Sequence, residues 1–406
     1  MTAPTGLQPH RLHELAILAT PGGPTRGSNG GFVLTQKYVD GVLEYCKHWQ
    51  GQVTVLVCFD DYPTTDMDRV EVLPGEHPFR LEERPTTAVE LKARLAHSAL
   101  ALAFLSREEA YLSVLCHEIG VPLVYISEYS LRTDWQIIDT EVQNSVRRAV
   151  RKVRAWVAHR ARVAAVRRAA GIQCSGTPTY DIYRRLNPNA LLFIDNRVRC
   201  GSIISMGELE MRTAGLIDNK PLRLVFGGRL VPMKGVLHLP LVTRQLVRLG
   251  VPFTLDIFGT GPLESMLRDE IARLGLAGQI RLRGVADFAG EWIPMLKREA
   301  DIFVCCHPQG DPSSTYSEVM ACGVPIAGYA NEAFEGVVRL SHAGWLSPVG
   351  QPDRLAEVLA RLNDNRAEVI AASARAVSFA AQHSFEITFA RRIDHLASLT
   401  RHPAAA

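Results

Sequence analysis

Arg229 and Lys234 stand five positions apart in the stretch Gly227-Gly228-Arg229-Leu230-Val231-Pro232-Met233-Lys234-Gly235. A guanidinium offers a planar fork of donors and an ammonium a compact point charge, so the two can converge on neighbouring phosphates. Cations already held against a departing diphosphate stabilise the charge that grows on it as its bond breaks. Further along, Asp301 to Tyr329 reads DIFVCCHPQGDPSSTYSEVMACGVPIAGY. Its polar loop carries Asp311, Ser313, Ser314 and Thr315, and Glu318 follows in the first turns of a helix. A carboxylate accepts charge-assisted hydrogen bonds from vicinal hydroxyls, so this loop suits a hydroxyl-rich, phosphate-bearing ligand. Plainer roles stay open: Glu318 as an exposed or capping helix residue, and Asp311 as a turn or N-cap aspartate before Pro312.

Such groups work only if strands and helix N-termini aim them at one place, the carboxyl ends of parallel strands in an open α/β fold. The second half of the chain supplies the pattern: strands at Leu222–Phe226, Phe253–Phe258, Ile280–Leu282, Ile302–Cys306 and Pro325–Gly328, with helices between. The first half repeats it. A short apolar run, Leu15–Ala19, leads into a glycine-rich turn over Thr20–Gly31 and a long helix over Phe32–Trp49. Strands follow at Val53–Phe59, Leu100–Leu105, Val121–Ile126 (ending in Ser127-Glu128-Tyr129) and Leu191–Ile194. Short apolar runs alternating with helices predict parallel sheets covered on both faces. The turn at Gly30-Gly31 matches neither the dinucleotide fingerprint nor a P-loop, and reads equally as a structural turn or a ligand loop. The domain plan is a leader at 1–13, a Rossmann-like domain over 14–200, an irregular linker at 201–220, a second Rossmann-like domain over 221–385 and a terminal helix and tail at 386–406.

Composition narrows the class. The apolar fraction is 47%, the charged fraction 21% and the formal charge +3. This is an ordinary globular balance, too weakly basic to point to nucleic acid. No apolar run is long enough to span a membrane and no signal-peptide pattern opens the chain, so a cytoplasmic protein is expected. The eight scattered cysteines read as buried free thiols, and no His/Cys/Asp/Glu spacing suggests a metal site, with His10 and His13 in the leader. Asp66-Met67-Asp68 matches a metal-binding Asp-x-Asp pattern formally but reads as a surface loop. Residues 145–170 form a helix with nine Arg or Lys and no acidic residue. It is either a solvated basic face or a peripheral contact for an anionic membrane or phosphorylated acceptor.

Glu318-Val319-Met320-Ala321-Cys322-Gly323-Val324-Pro325, with Gly228-Arg229-Leu230 and Lys234-Gly235, resembles the signature of the retaining, nucleotide-sugar-dependent glycosyltransferases of GT-B fold. The resemblance is at the level of motifs over 222–350 and architectural over 14–200. It implies two Rossmann-like domains facing each other across a deep cleft. The first would hold a hydroxyl acceptor and the second a nucleoside diphosphate sugar, a UDP-sugar ahead of a GDP-sugar, with late helices crossing back to the first domain. It further implies hexosyl transfer without metal or other cofactor, with the leaving phosphate assisting the incoming hydroxyl. Arg229 and Lys234 would bind the diphosphate and Glu318 the ribose. Gly259, Gly261, Arg283 and Gly284 resemble the family's loops near phosphate and base, and the family favours a ligand role for Gly30-Gly31. The sequence departs at Gly310, where the family places the first glutamate of an E-x7-E pair. Asp311 is the candidate replacement, with His307 nearby. A first-domain histidine is also missing after Leu105, and Glu128 is the candidate there. The rivals are a non-hydrolysing nucleotide-sugar epimerase or a phosphorylase of the same fold, and an inactive nucleotide-sugar-binding protein.

Overall fold

The computed structural model describes residues 14–19, 24–27, 29–59, 69–218 and 220–400. Two parallel sheets organise it. The first has seven strands in the order Ala190–Phe193, Gly171–Ser175, Leu123–Ser127, Ser98–Phe104, Glu14–Leu18, Val53–Val57 and Arg80–Glu83. The second has six, in the order Ile280–Gly284, Phe253–Phe258, Leu222–Gly227, Ile302–Cys305, Ile326–Tyr329 and Gly344–Ser347. Central strands such as Val53–Val57 and Ile302–Cys305 are buried along their whole length, which is why they read as unbroken apolar runs. In the second sheet the chain runs outward from Leu222–Gly227 to Ile280–Gly284, then returns to place Ile302–Cys305 on the other side of the starting strand. The loops leaving these two neighbours diverge and leave a crevice at their carboxyl ends.

Three stretches differ from the sequence reading. Phe32–Thr35 is a strand, not the start of the helix. It pairs antiparallel with Thr25–Arg26 and Arg69–Val72, and Phe32 stacks on Phe59 with ring centroids 5.3 Å apart. The helix begins at Gln36, where the Thr35 hydroxyl accepts from the Tyr38 amide. Arg80–Glu83 is an edge strand whose half-exposed sequence, RLEE, has no apolar run to betray it. Within the expected linker, Met206–Ile217 is a helix opened by a Ser205/Glu208 capping box. Its buried Arg212 donates to the carbonyls of Ala300, Cys322 and Gly323, at 3.0, 3.2 and 2.5 Å. Burial pushes that guanidinium down to about 10.

The last helix, Phe385–Ser398, packs on the first sheet rather than the second. Phe385, Phe389, Ile393 and Leu396 join the core of Leu15, Val42, Tyr45 and Val55. Gln173 and Arg392 bind each other reciprocally, each contact 2.8 Å. The two domains are thus tied by a returning helix as well as by the direct connection.

Candidate active site

The site is assembled by loops that only close backbone approach can bring together. Gly235 has φ 61°, and a Cβ there would lie 2.0 Å from the Cys306 carbonyl oxygen. Glycine therefore lets the Arg229–Lys234 loop press on the end of the neighbouring strand. Gly259 meets the same limit, with φ 125° and the Gly228 carbonyl 2.0 Å from its would-be Cβ. The Gly259 amide donates to the Gly284 carbonyl at 2.7 Å, and the Leu230 amide to the Thr260 carbonyl at 2.9 Å. Three strand-end loops are laced into one wall.

That wall bounds a cleft of about 730 Å³, of a size that takes a substantial small molecule. Gly228, Arg229, Gly259, Gly261, Ser314, Thr315 and Glu318 all line it. Arg197, Phe288 and Trp292 line it too, with the Arg197 guanidinium 4.9 Å from the centre of the Phe288 ring. Glu318 is 6% exposed, and its Oε1 has no hydrogen-bond partner among the described residues. Burial raises its carboxyl above the usual range, while Arg197, Lys37 and the Ser314 hydroxyl pull it down. An unpaired buried acceptor at the edge of a cleft is suited to take up a ligand hydroxyl. The short helix Thr315–Ala321 that carries Glu318 is anchored by Arg212 through the Cys322-Gly323 turn.

Lys234 and Asp311 meet directly. Lys234 Nζ lies 2.9 Å from Asp311 Oδ2 and 3.4 Å from Ser313 Oγ, and the two charged side chains are only 12% and 13% exposed. From the first domain, Glu128 feels the charges of this pair and of the Lys37–Asp195 ion pair. Burial first, then repulsion by Asp311 and Asp195, pushes the Glu128 carboxyl up to about 7. In the unfolded chain that carboxyl ionises near its ordinary 4.5. Its penalty on folding is therefore absent below about pH 4.5 and complete above about pH 7. Glu128→Gln is expected to raise the melting temperature at pH 8 and to leave it nearly unchanged at pH 4; melting curves at both values check this.

Other expected site residues lie elsewhere. Arg283 turns to Asp256, Nε to Oδ1 at 2.9 Å, because strand alternation aims it along the sheet and away from the cleft. Gly284 contributes its carbonyl to the Gly259 turn. Gly30 and Gly31 are not among the cleft residues, and their loop is filled by a protein carboxylate. Glu71 Oε1 accepts from the Asn29 and Gly31 amides at 2.9 and 3.3 Å. Asp66, Asp68, His10 and His13 fall outside the described residues. Among the described residues no three His, Cys, Asp or Glu side chains gather as a metal site. Sequence reasoning missed Arg197, which lines the cleft from a chain segment with no motif of its own, and the Lys37–Asp195 ion pair.

With this geometry in view, similarity to known proteins becomes informative. Residues 208–378 match the family described as glycosyl transferases group 1. The match lies within the second domain, where the chain is similar to that family. The amylovoran biosynthesis glycosyltransferase AmsK of Erwinia amylovora is 30% identical over 158 residues, covering 37% of this chain and 38% of AmsK. The putative colanic acid biosynthesis glycosyltransferase WcaL of Escherichia coli K12 is 27% identical over 172 residues, covering 41% of this chain and 42% of WcaL. The chain thus spans about two fifths of the length of these curated relatives. Fold similarity extends much further. Anabaena HepE in complex with UDP superposes with a TM-score of 0.62 at 15% identity, covering 95% of this chain and 99% of HepE. The lipopolysaccharide outer core galactosyltransferase WaaB, in its apo form, gives 0.62 at 12% identity over 95% and 99%. The chain has the GT-B fold.

Proposed function

We propose that this protein is a retaining, metal-independent glycosyltransferase. It would move a sugar, most simply a hexose, from a nucleoside diphosphate sugar to a hydroxyl acceptor in polysaccharide synthesis. The observation that carries this reading is the single cleft on which Arg229, Ser314, Thr315 and Glu318, with its unpartnered Oε1, converge, inside the region matched to the family. The names of AmsK and WcaL support a polysaccharide product, and the UDP bound to HepE supports a UDP-sugar donor. In this reading Arg229 and Lys234 take the charge of the leaving diphosphate and Glu318 takes the ribose. Gly228, Gly259 and Gly261 let the backbone approach the donor. Asp311, paired with Lys234, is the sugar-facing carboxylate, and Glu128 faces the acceptor. Incubation with UDP- and GDP-sugars and candidate acceptors, read by mass spectrometry, tests the reading, and NMR of the product's anomeric centre tests retention. Conversion of donor without acceptor would reveal an epimerase instead. A cytoplasmic location belongs to the same reading, in keeping with eight free thiols.

Peripheral membrane contact is part of the proposal. No described helix is long and apolar enough to cross a membrane. The helix Ser145–Arg168, however, keeps Val146, Val150, Val153 and Val157 exposed at spacings of four, three and four, one stripe along its outer face. Val146 is 71% exposed and Val153 61%. Arg147, Arg151 and Arg154 flank the stripe without an ion pair among the described residues. Apolar stripe and basic flanks together complement the surface of an anionic bilayer. Reversing the three arginines to glutamate is expected to abolish co-sedimentation with phosphatidylglycerol vesicles at low salt. Failure of the wild type to sediment with those vesicles at low salt would exclude this contact.

A further inference from the structure

The loop that carries Asp311 is fastened from the opposite domain. The Gly310 amide donates to Gln136 Oε1 at 2.9 Å, Gln309 Nε2 donates to Thr140 Oγ1 at 2.8 Å, and the Thr133 hydroxyl lies 3.3 Å from the Gly310 carbonyl. All three partners sit on the first-domain helix Leu131–Glu141. Glu332 opens the second-domain helix Glu332–Ser341 and completes the contact. Its Oε1 accepts from the Ser130 hydroxyl and, at 2.8 Å, from the Thr133 hydroxyl. The stem of Glu332 lies over Gly310, where a Cβ would stand 2.4 Å from Glu332 Cγ. Glycine at 310 thus leaves room for a side chain from elsewhere in the chain. The Glu332 side chain occupies the space that a side chain at 310 would need.

We infer that Glu332 is a positioning residue. By binding Ser130 and Thr133 across the domain boundary it holds the helix Leu131–Glu141 against Gly310, and so sets the loop 307–313 and its Asp311–Lys234 pair. The inference rests on the glycosyltransferase reading for its effect on turnover, but not for the contact itself. Displacing a reacting group by about an ångström costs on the order of a hundredfold in rate, so a loosened loop should be visible in kcat.

The test uses the full chain and four variants: Glu332→Ala, Glu332→Gln, Gly310→Ala and the double variant Glu332→Ala/Gly310→Ala. Turnover is measured with the nucleoside diphosphate sugar that the wild type transfers. Binding of bare UDP is measured by calorimetry, and amide exchange of residues 307–313 by mass spectrometry. Glu332→Ala is expected to lower kcat on the order of ten- to a hundredfold, to keep UDP binding within about twofold, and to speed exchange in the loop. Glu332→Gln retains the accepting Oε1 and should keep most of the turnover and protection. Gly310→Ala should resemble Glu332→Ala, and the double variant should be no worse than either, because truncation frees the space that the new methyl needs. Wild-type turnover and exchange in Glu332→Ala would overturn the inference. So would a Glu332→Gln variant as impaired as alanine, which would put the charge itself at work, or fully additive losses in the double variant. If the wild type transfers no sugar, the proposed function fails while the exchange data still decide the contact.

Discussion

Arg229→Ala and Lys234→Ala are each expected to lower kcat/KM by roughly 30- to 1,000-fold, the 2–4 kcal/mol that one preorganised electrostatic donor supplies to a transition state. Both lie on the loop that Gly235 presses against the Cys306 carbonyl, so neither cation needs to reorganise as charge develops on the leaving diphosphate. The two variants should differ in stability. Arg229 is exposed at the cleft, and its loss should leave the melting temperature close to that of the wild type. Lys234 is nearly buried against Asp311, so removing it strands a carboxylate in a dry site and should lower the melting temperature. Lys234→Ala/Asp311→Ala should recover much of that stability without recovering turnover. Steady-state kinetics and melting curves on the three proteins check this. Near wild-type kcat/KM in both single variants would remove the cations from the chemistry.

Glu318→Ala is the second large effect. A carboxylate that is 6% exposed, with Oε1 unpartnered, carries a desolvation cost that a ligand hydroxyl would further offset. If it receives the ribose hydroxyls, its loss should weaken bare UDP and the intact donor by the same factor. That loss is about 1.5–3 kcal/mol, or roughly 10- to 150-fold in Kd. Glu318→Gln keeps one accepting oxygen and should fall between. Both variants should be more stable than the wild type at pH 8, because burial raises the carboxyl and the ionised form is the disfavoured one there. Calorimetry with UDP and donor, set beside melting curves, separates the outcomes. Weaker binding of the donor with unchanged binding of UDP would move Glu318 from the ribose to the sugar.

Much of this was readable in the residues alone. Val53–Val57 and Ile302–Cys305 are buried on both faces, so local composition had to be continuously apolar, and the parallel α/β class followed. Arg229, Ser314, Thr315 and Glu318 each follow a recognisable strand or open a helix, so their convergence at strand ends was legible from spacing. The polar edge strand Arg80–Glu83, the strand Phe32–Thr35 and the helix Met206–Ile217 were not. The two strands are held by partners distant in the chain, and the helix, though capped locally by Ser205 and Glu208, is anchored by Arg212 to the Cys322-Gly323 turn. The same physics governs the site. Side-chain direction turned Arg283 to Asp256 and filled the Gly30-Gly31 loop with Glu71. Tertiary packing brought Arg197 to the cleft, paired Lys37 with Asp195 and laid Glu332 over Gly310. Periodicity and motif report what a residue does with its near neighbours. Which carboxylate meets which cation depends on loop closure across hundreds of residues, and only the tertiary structure decides that.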